Sequence, residues 1–212
     1  MVVYTITEHR MSTTHQTTTA LLAGLFDPDN HAVWEEFHSR YRPIILAVAR
    51  RLGLSEQDAA DVAQETLVKF LQEYRAGKYD RDRGRLRTWI VSIAKFRVAD
   101  LYRAKARQRE RRGESAFEEL PEEDHLNKMW DEECRHEILR RGFQELREST
   151  KLDDRTIEVF KRLSIDQRKP ADVAEEQSMS LDAVYKAKRR CLEQLRVILQ
   201  RLNDAYEIHE VA

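Results

Sequence analysis

The chain has 212 residues, 41% of them hydrophobic and 35% charged, with a formal net charge of −1. The apolar content is enough for a core, and the charge is well above the roughly 25% of an average soluble domain. Ile44 to Ala49, the longest kind of apolar run present, is far shorter than the about 20 residues a membrane span requires, so no membrane insertion is expected. Six Gly and four Pro leave little turn chemistry, and no segment alternates apolar and polar residues as a half-buried strand would. An all-α chain is expected: two small helical domains joined by a flexible linker. Cys134 and Cys191 are too few for a disulfide framework, and the N-terminus lacks a basic start followed by an apolar block. Both features suit a cytoplasmic protein.

Charge is distributed in blocks. From Arg75 to Arg112, fourteen Lys and Arg face only Asp80, Asp82, Asp100 and Glu110. From Glu114 to Cys134 nine Asp and Glu face Lys128 alone, and from Lys186 to Arg201 six basic residues face Glu193. Two basic blocks separated by an acidic one suit two nucleic-acid surfaces joined by a linker.

In chain order, residues 1–24 read as a disordered tail rich in Thr, with Thr13, Thr14, Thr17, Thr18 and Thr19 nearly consecutive. A first domain covers 25–110. Its first helix, about 29 to 52, repeats Val33, Phe37, Tyr41, Ile44, Ile45, Val48 and Leu52 at helical spacing and stops at Gly53. Ser55 and Asp58 form a capping-box pattern ahead of a second helix, about 56 to 75, which Gly77 closes. A third, about 85 to 108, buries Leu86, Trp89, Ile90, Ile93, Ala94, Val98 and Leu101 and ends in an almost wholly basic turn. Trp89 shares the period of the core residues and is expected among them. Residues 111–131 read as an acidic linker containing Pro121. The second domain, 132–205, begins with a helix near Asp131 and continues with elements at 154–163, 170–177 and 181 to about 202.

The segment from Lys169 to Arg190 has a helix-turn-helix pattern. Pro170 suits a first helical turn, Gln177 to Ser180 the turn between helices, and Ser180 an N-cap. The second helix presents Asp182, Tyr185, Lys186, Lys188, Arg189 and Arg190 between its core positions, a mix of base-edge and phosphate partners fit for the major groove.

This segment lies C-terminal to a second block, Ser55 to Phe70, which resembles conserved region 2.2 of the sigma-70 family in its extracytoplasmic-function (ECF) group. Trp34 to Tyr41 is similar to region 2.1, Gly84 to Lys95 to regions 2.3 and 2.4, and Arg155 to Leu202 to regions 4.1 and 4.2. There is no room for a region 3 domain. Departures from the family pattern are Leu86 for Phe, Phe96 for Asn, Ala187 for Arg and Lys188 for Leu.

The resemblance implies an RNA polymerase sigma factor, with the polymerase core, promoter DNA and an anti-sigma factor as partners, and with no enzymatic activity of its own. Asp58, Asp61, Gln64 and Glu65 would dock on the clamp helices of the polymerase's largest subunit. Tyr79, Arg81, Arg83, Arg85, Arg87, Lys95, Arg97, Arg103, Lys105 and Arg107 would hold the melted −10 element, the loop from Gly77 to Arg85 pocketing a flipped base. Ser180, Asp182, Tyr185, Lys186, Lys188, Arg189 and Arg190 would read the −35 element.

The residues alone leave two other classes open. One is a helix-turn-helix regulator that is not a polymerase subunit. The other is an enzyme, such as a recombinase or a hydrolase holding a metal on His31, Glu35 and His38. Cys134, His125 and His136 are a weak zinc pattern. No catalytic triad, paired-carboxylate pocket or Gly-rich phosphate loop is present, so no cofactor is expected.

Overall fold

A computed structural model of the chain describes residues 18–80, 82, 84–110 and 121–206. Most of the Thr-rich tail, Arg81, Arg83 and residues 111–120 of the acidic linker lie outside the described residues. Among those described, every regular element is an α-helix, as composition predicts.

The N-terminal half holds α1 (Thr18–Gly24), α2 (His31–Arg51), α3 (Glu56–Arg75) and α4 (Leu86–Glu110). The local chemistry sets these bounds. Asn30 Oδ1 accepts from the Val33 amide at 3.2 Å to start α2, and Ser55 Oγ accepts from the Asp58 amide at 3.2 Å to start α3. Gly53 and Gly77 follow the two helix ends with φ of +84° and +71°, a conformation a side chain would strain. Phe37 of α2 stacks on Phe70 of α3 at 4.7 Å between ring centroids, at the middle of the bundle.

The C-terminal half holds α5 (Glu123–Ser149), α6 (Asp154–Ser164), α7 (Pro170–Glu176) and α8 (Leu181–Ala205). Val159, Leu163, Val173, Ala174, Val184 and Ala187 form a small core of their own beneath the α7–α8 turn, with Met179 against it. Gly142 of α5 permits a close approach to α8, because a Cβ there would lie 2.7 Å from Leu199 Cδ2.

Two expectations are corrected. The stretch read as tail ends in α1, whose Leu21 and Leu22 are buried together with Leu25 just beyond. Seven residues give too short a period to be seen among the threonines, and Arg75 completes the turn by donating Nε to the Leu25 carbonyl at 2.8 Å. The helix expected near Asp131 starts eight residues earlier. Glu123 and Asp124 sit in its first turn, where the positive end of the helix dipole favours carboxylates, while Leu126, Met129 and Trp130 are buried. An acidic run that reads as solvated linker is in part an N-terminal helical turn.

The two halves share one apolar core, which runs from Leu21 through Phe37, Phe70 and Ile90 to Trp130, Leu195 and Tyr206. A reciprocal pair of arginines crosses the seam. Pro43 lies inside α2 and has no N–H, so the Ser39 carbonyl lacks its helical donor, and Arg141 of α5 donates to it. Arg40 of α2, fully buried, donates Nη1 to the Ala205 carbonyl at 2.7 Å, at the C-terminal end of α8. Its guanidinium also pairs with Glu36 at 2.9 Å and lies over the Tyr206 ring at 5.3 Å.

Candidate nucleic-acid interface

α3 packs one face into the core through Ala59, Val62, Ala63, Thr66, Leu67, Phe70 and Tyr74. The predicted polymerase-docking residues therefore fall outside it. Asp61 and Gln64 are exposed, whereas Asp58 and Glu65 turn toward α4. Lys105 Nζ meets Asp58 at 2.6 Å, and Arg97 meets Glu65 at 3.7 Å. Hydrogen bonds from Lys105 and from Ser55 hold the Asp58 carboxyl below its ordinary pKa.

The predicted −10 cations of α4 thus divide into two sets. Arg87, Arg97 and Lys105 lie at the helix seams, each against a carboxylate: Asp131 of α5, Glu65 and Asp58 respectively. Lys95 is half-buried beside an apolar crevice lined by Leu52, Val62, Val91, Leu126 and Trp130. Arg85, Arg103 and Arg107 are exposed. Together with Thr88, Ser92, Phe96 and Ala99 they recur every three or four residues and so share the outward face of α4.

At the N-terminal end of that face lies an open concavity of about 220 Å³, lined by Lys78, Tyr79, Asp80, Gly84, Arg85, Thr88, Trp89 and Ser92. Tyr79 stacks on Trp89 with centroids 5.2 Å apart and planes 12° from parallel. Trp89 meets the edge of Phe70 on the core side at 5.1 Å. It is therefore half-buried, a wall shared by core and concavity, where the period placed it in the core alone. An aromatic wall beside a lysine and an arginine is chemically suited to a flat, electron-rich ring attached to a phosphate.

The α7–α8 pair carries the second basic surface. Ser180 caps α8 by accepting from the Ala183 amide at 3.2 Å, as its sequence position predicts. Asp182 pairs with Lys186 at 2.7 Å and Arg189 with Glu193 at 2.8 Å, both one turn apart on α8 and all four more than half exposed. Tyr185 and Arg190 are also exposed, and Lys188 is half-buried. The connecting turn is held by a residue that the sequence did not single out for that role. Arg155 of α6 donates Nη2 to the Gln177 and Ser178 carbonyls, which fixes Ser178 at a positive φ of 49°.

The described residues hold no cluster of His, Cys, Asp and Glu suited to a metal. Both cysteines are buried and unpaired, and burial pushes the Cys191 thiol up to about 11. No described helix is long and apolar enough to cross a membrane.

Residues 37–108, about a third of the chain, match the family profile Sigma-70 region 2. No curated protein matches. Among solved structures the chain is similar to CnrH in its complex with the cytosolic domain of CnrY. The identity is 22%, the similarity covers 85% of this chain and 96% of that one, and the TM-score is 0.35.

Proposed function

We propose that this chain, whose residues 37–108 match Sigma-70 region 2, is an RNA polymerase sigma factor of the ECF type, conferring promoter recognition and melting on a core enzyme that performs all of the chemistry. The observation that carries the proposal is the aromatic concavity on α4, which lies inside the matched segment. Melting a duplex costs unstacking energy, and a pocket that receives an extruded base offsets it. Tyr79, Trp89, Lys78 and Arg85 form such a receptor, and Arg103 and Arg107 further along α4 would hold the phosphates of the same strand.

Asp61 and Gln64, exposed on α3, are the docking residues for the clamp helices of the largest polymerase subunit. Charge there would govern orientation and on-rate more than affinity. Asp58 and Glu65 contribute from the seam, shared with the cations of α4. The N-terminal half of α8 would enter the major groove of the −35 element, with Ser180 capping it, Asp182, Tyr185, Lys186 and Arg189 toward base edges, and Lys188 and Arg190 toward phosphates. The reading places the chain in the cytoplasm with polymerase, and an anti-sigma factor would act by masking these surfaces.

The test is transcription in vitro with purified core polymerase on a genomic template library. Promoter-specific transcripts that depend on the chain are expected. A chain that neither binds core nor confers start-site specificity, yet binds duplex DNA alone, is a regulator outside polymerase.

A further inference from the structure

Three helices of this chain, α2, α3 and α7, end in the same way. The residue after each C-cap is left-handed, and its amide reaches back three residues: Gly53 to Arg50 at 2.9 Å, Gly77 to Tyr74 at 2.9 Å and Ser178 to Glu175 at 3.0 Å. The next amide closes a wider loop, Leu54 to Ala49 at 3.3 Å, Lys78 to Glu73 at 3.0 Å and Met179 to Ala174 at 2.8 Å. Two of the three use glycine, which takes this conformation without strain. The third, between α7 and α8, uses Ser178 at φ 49°, where a Cβ crowds the backbone.

Arg155 of α6 supplies there what glycine supplies at the other two. Its Nη2 donates to the Gln177 carbonyl and, at 3.3 Å, to the Ser178 carbonyl. These carbonyls belong to the peptide units on either side of the Ser178 Cα, so bridging them restrains the two dihedrals that are strained. Arg155 itself starts from a fixed point. Its neighbour Thr156 is buried, and the Thr156 carbonyl accepts from Cys191 Sγ of α8 at 3.6 Å.

We infer that Arg155 is a positioning residue for duplex reading by α8: it holds Ser178 left-handed and thereby fixes how α7 meets α8. The inference rests on the duplex-reading role proposed above and adds to it a residue that touches no DNA. In a helix-turn-helix the first helix crosses the backbone while the N-terminal residues of the second reach base edges, so both must be placed at once. If Ser178 relaxed to negative φ, Met179 would leave the small core and Ser180, whose side chain caps α8, would lose its place. Only the fraction of molecules with the turn closed would then bind, and the apparent affinity would fall by that fraction.

The experiment uses the full chain with core polymerase and a duplex that this complex selects from a random-sequence pool, with an unrelated duplex as reference. Arg155→Ala should weaken binding to the selected duplex by about tenfold, the scale set by a left-handed residue other than glycine. Binding to the unrelated duplex, which depends on phosphate contacts, should stay nearly the same, as should the slope of log affinity against log salt. Ser178→Gly alone should bind as wild type. Arg155→Ala combined with Ser178→Gly should recover the selected duplex to within about twofold, since glycine takes up the conformation for which the guanidinium is needed. Should Arg155→Ala alone be too unstable to assay, the same double variant should regain both folding and selection.

Undiminished selection by Arg155→Ala would overturn the inference and leave α8 as the reading helix. So would a loss that Ser178→Gly fails to restore; a salt slope lowered by about 1 would then assign Arg155 to a phosphate instead. A wild-type complex that enriches no sequence would remove the duplex-reading role itself, and the inference with it.

Discussion

The two basic helices of this molecule spend their cations differently. On α4, Arg87, Arg97 and Lys105 each reach a carboxylate on another helix, so their charge fastens α4 to α3 and α5. On the N-terminal half of α8 the ion pairs stay within the helix, one turn apart and largely exposed, where each is worth little and opens readily; only further along does Arg201 reach Glu145 of α5. Cations of the same kind on two helices thus serve stability in one case and remain available to a polyanion in the other. What separates them is the presence of an acidic neighbour across a helix seam.

Five variants test that division, beginning with the most deeply tied cation. Arg40→Ala should lower the free energy of unfolding in urea by about 3 kcal/mol or more, since it strips the donor from the buried Ala205 carbonyl and leaves a void beside Tyr206. A change below about 1 kcal/mol would mean that the seam is not a stabilising one. At the opposite extreme, the double change Arg189→Ala with Arg190→Ala should weaken binding to duplex DNA about tenfold. It should also reduce the slope of log affinity against log salt by about 1, through Arg190, and relax base preference at the position Arg189 reads, with the melting temperature unchanged.

Within α4 the contrast should appear between neighbours. Arg85→Ala should weaken single-strand binding several-fold at constant melting temperature, whereas Arg87→Ala should lower the melting temperature by a few degrees and leave binding nearly intact. The reverse pattern would show that the ion pair with Asp131 is incidental. The smallest effect belongs to Lys105→Ala, roughly 0.5–1 kcal/mol at pH 7 after solvent screening. Because Asp58 is held below its ordinary pKa in the folded chain, its pairing contributes above the unfolded carboxylate range and is lost as pH falls through the folded value. The gap between wild type and Lys105→Ala, read from urea midpoints, should therefore close as pH is lowered from about 5 to 3.

Helix bounds were legible wherever a cap marked them. Ser55 and Ser180 each stand one residue before the helix they start, because capping is a local bond between a side chain and an amide three residues on, and Pro170 opens α7 because its fixed φ suits a first helical turn. α1 was not legible, being too short to display a period. The first turns of α5 were hidden by acids that serve a helix N-terminus as well as they serve solvent. Among the residues of the concavity, Tyr79 and Arg85 could be found from a basic loop interleaved with aromatics, whereas the period of Trp89 assigned it to the core alone. The separate fates of Arg85 and Arg87 could not, since the two differ only in which side of α4 they occupy and in whether Asp131 is folded against them. Arg40 and Arg141 gave no signal either. Their partners are backbone carbonyls, Ala205 lying 165 residues from Arg40 and Ser39 lying 102 residues from Arg141.

That exchange of arginines bears on the order in which the chain is made. During synthesis α2 leaves the ribosome with the Ser39 carbonyl undonated and Arg40 facing an unfilled site. The first defect persists until residue 141 has emerged, and the second until the final turn of α8 is complete. The N-terminal bundle can form its Phe37–Phe70 centre early, but Arg40, which has Glu36 of its own helix beside it from the start, meets the Ala205 carbonyl only once α8 has been made. A nascent chain stalled before residue 205 would carry an exposed arginine and an uncovered apolar flank around Tyr41 and Ile45, and so would be a substrate for chaperones or proteases. Completion of α8 is then also the step that closes α2.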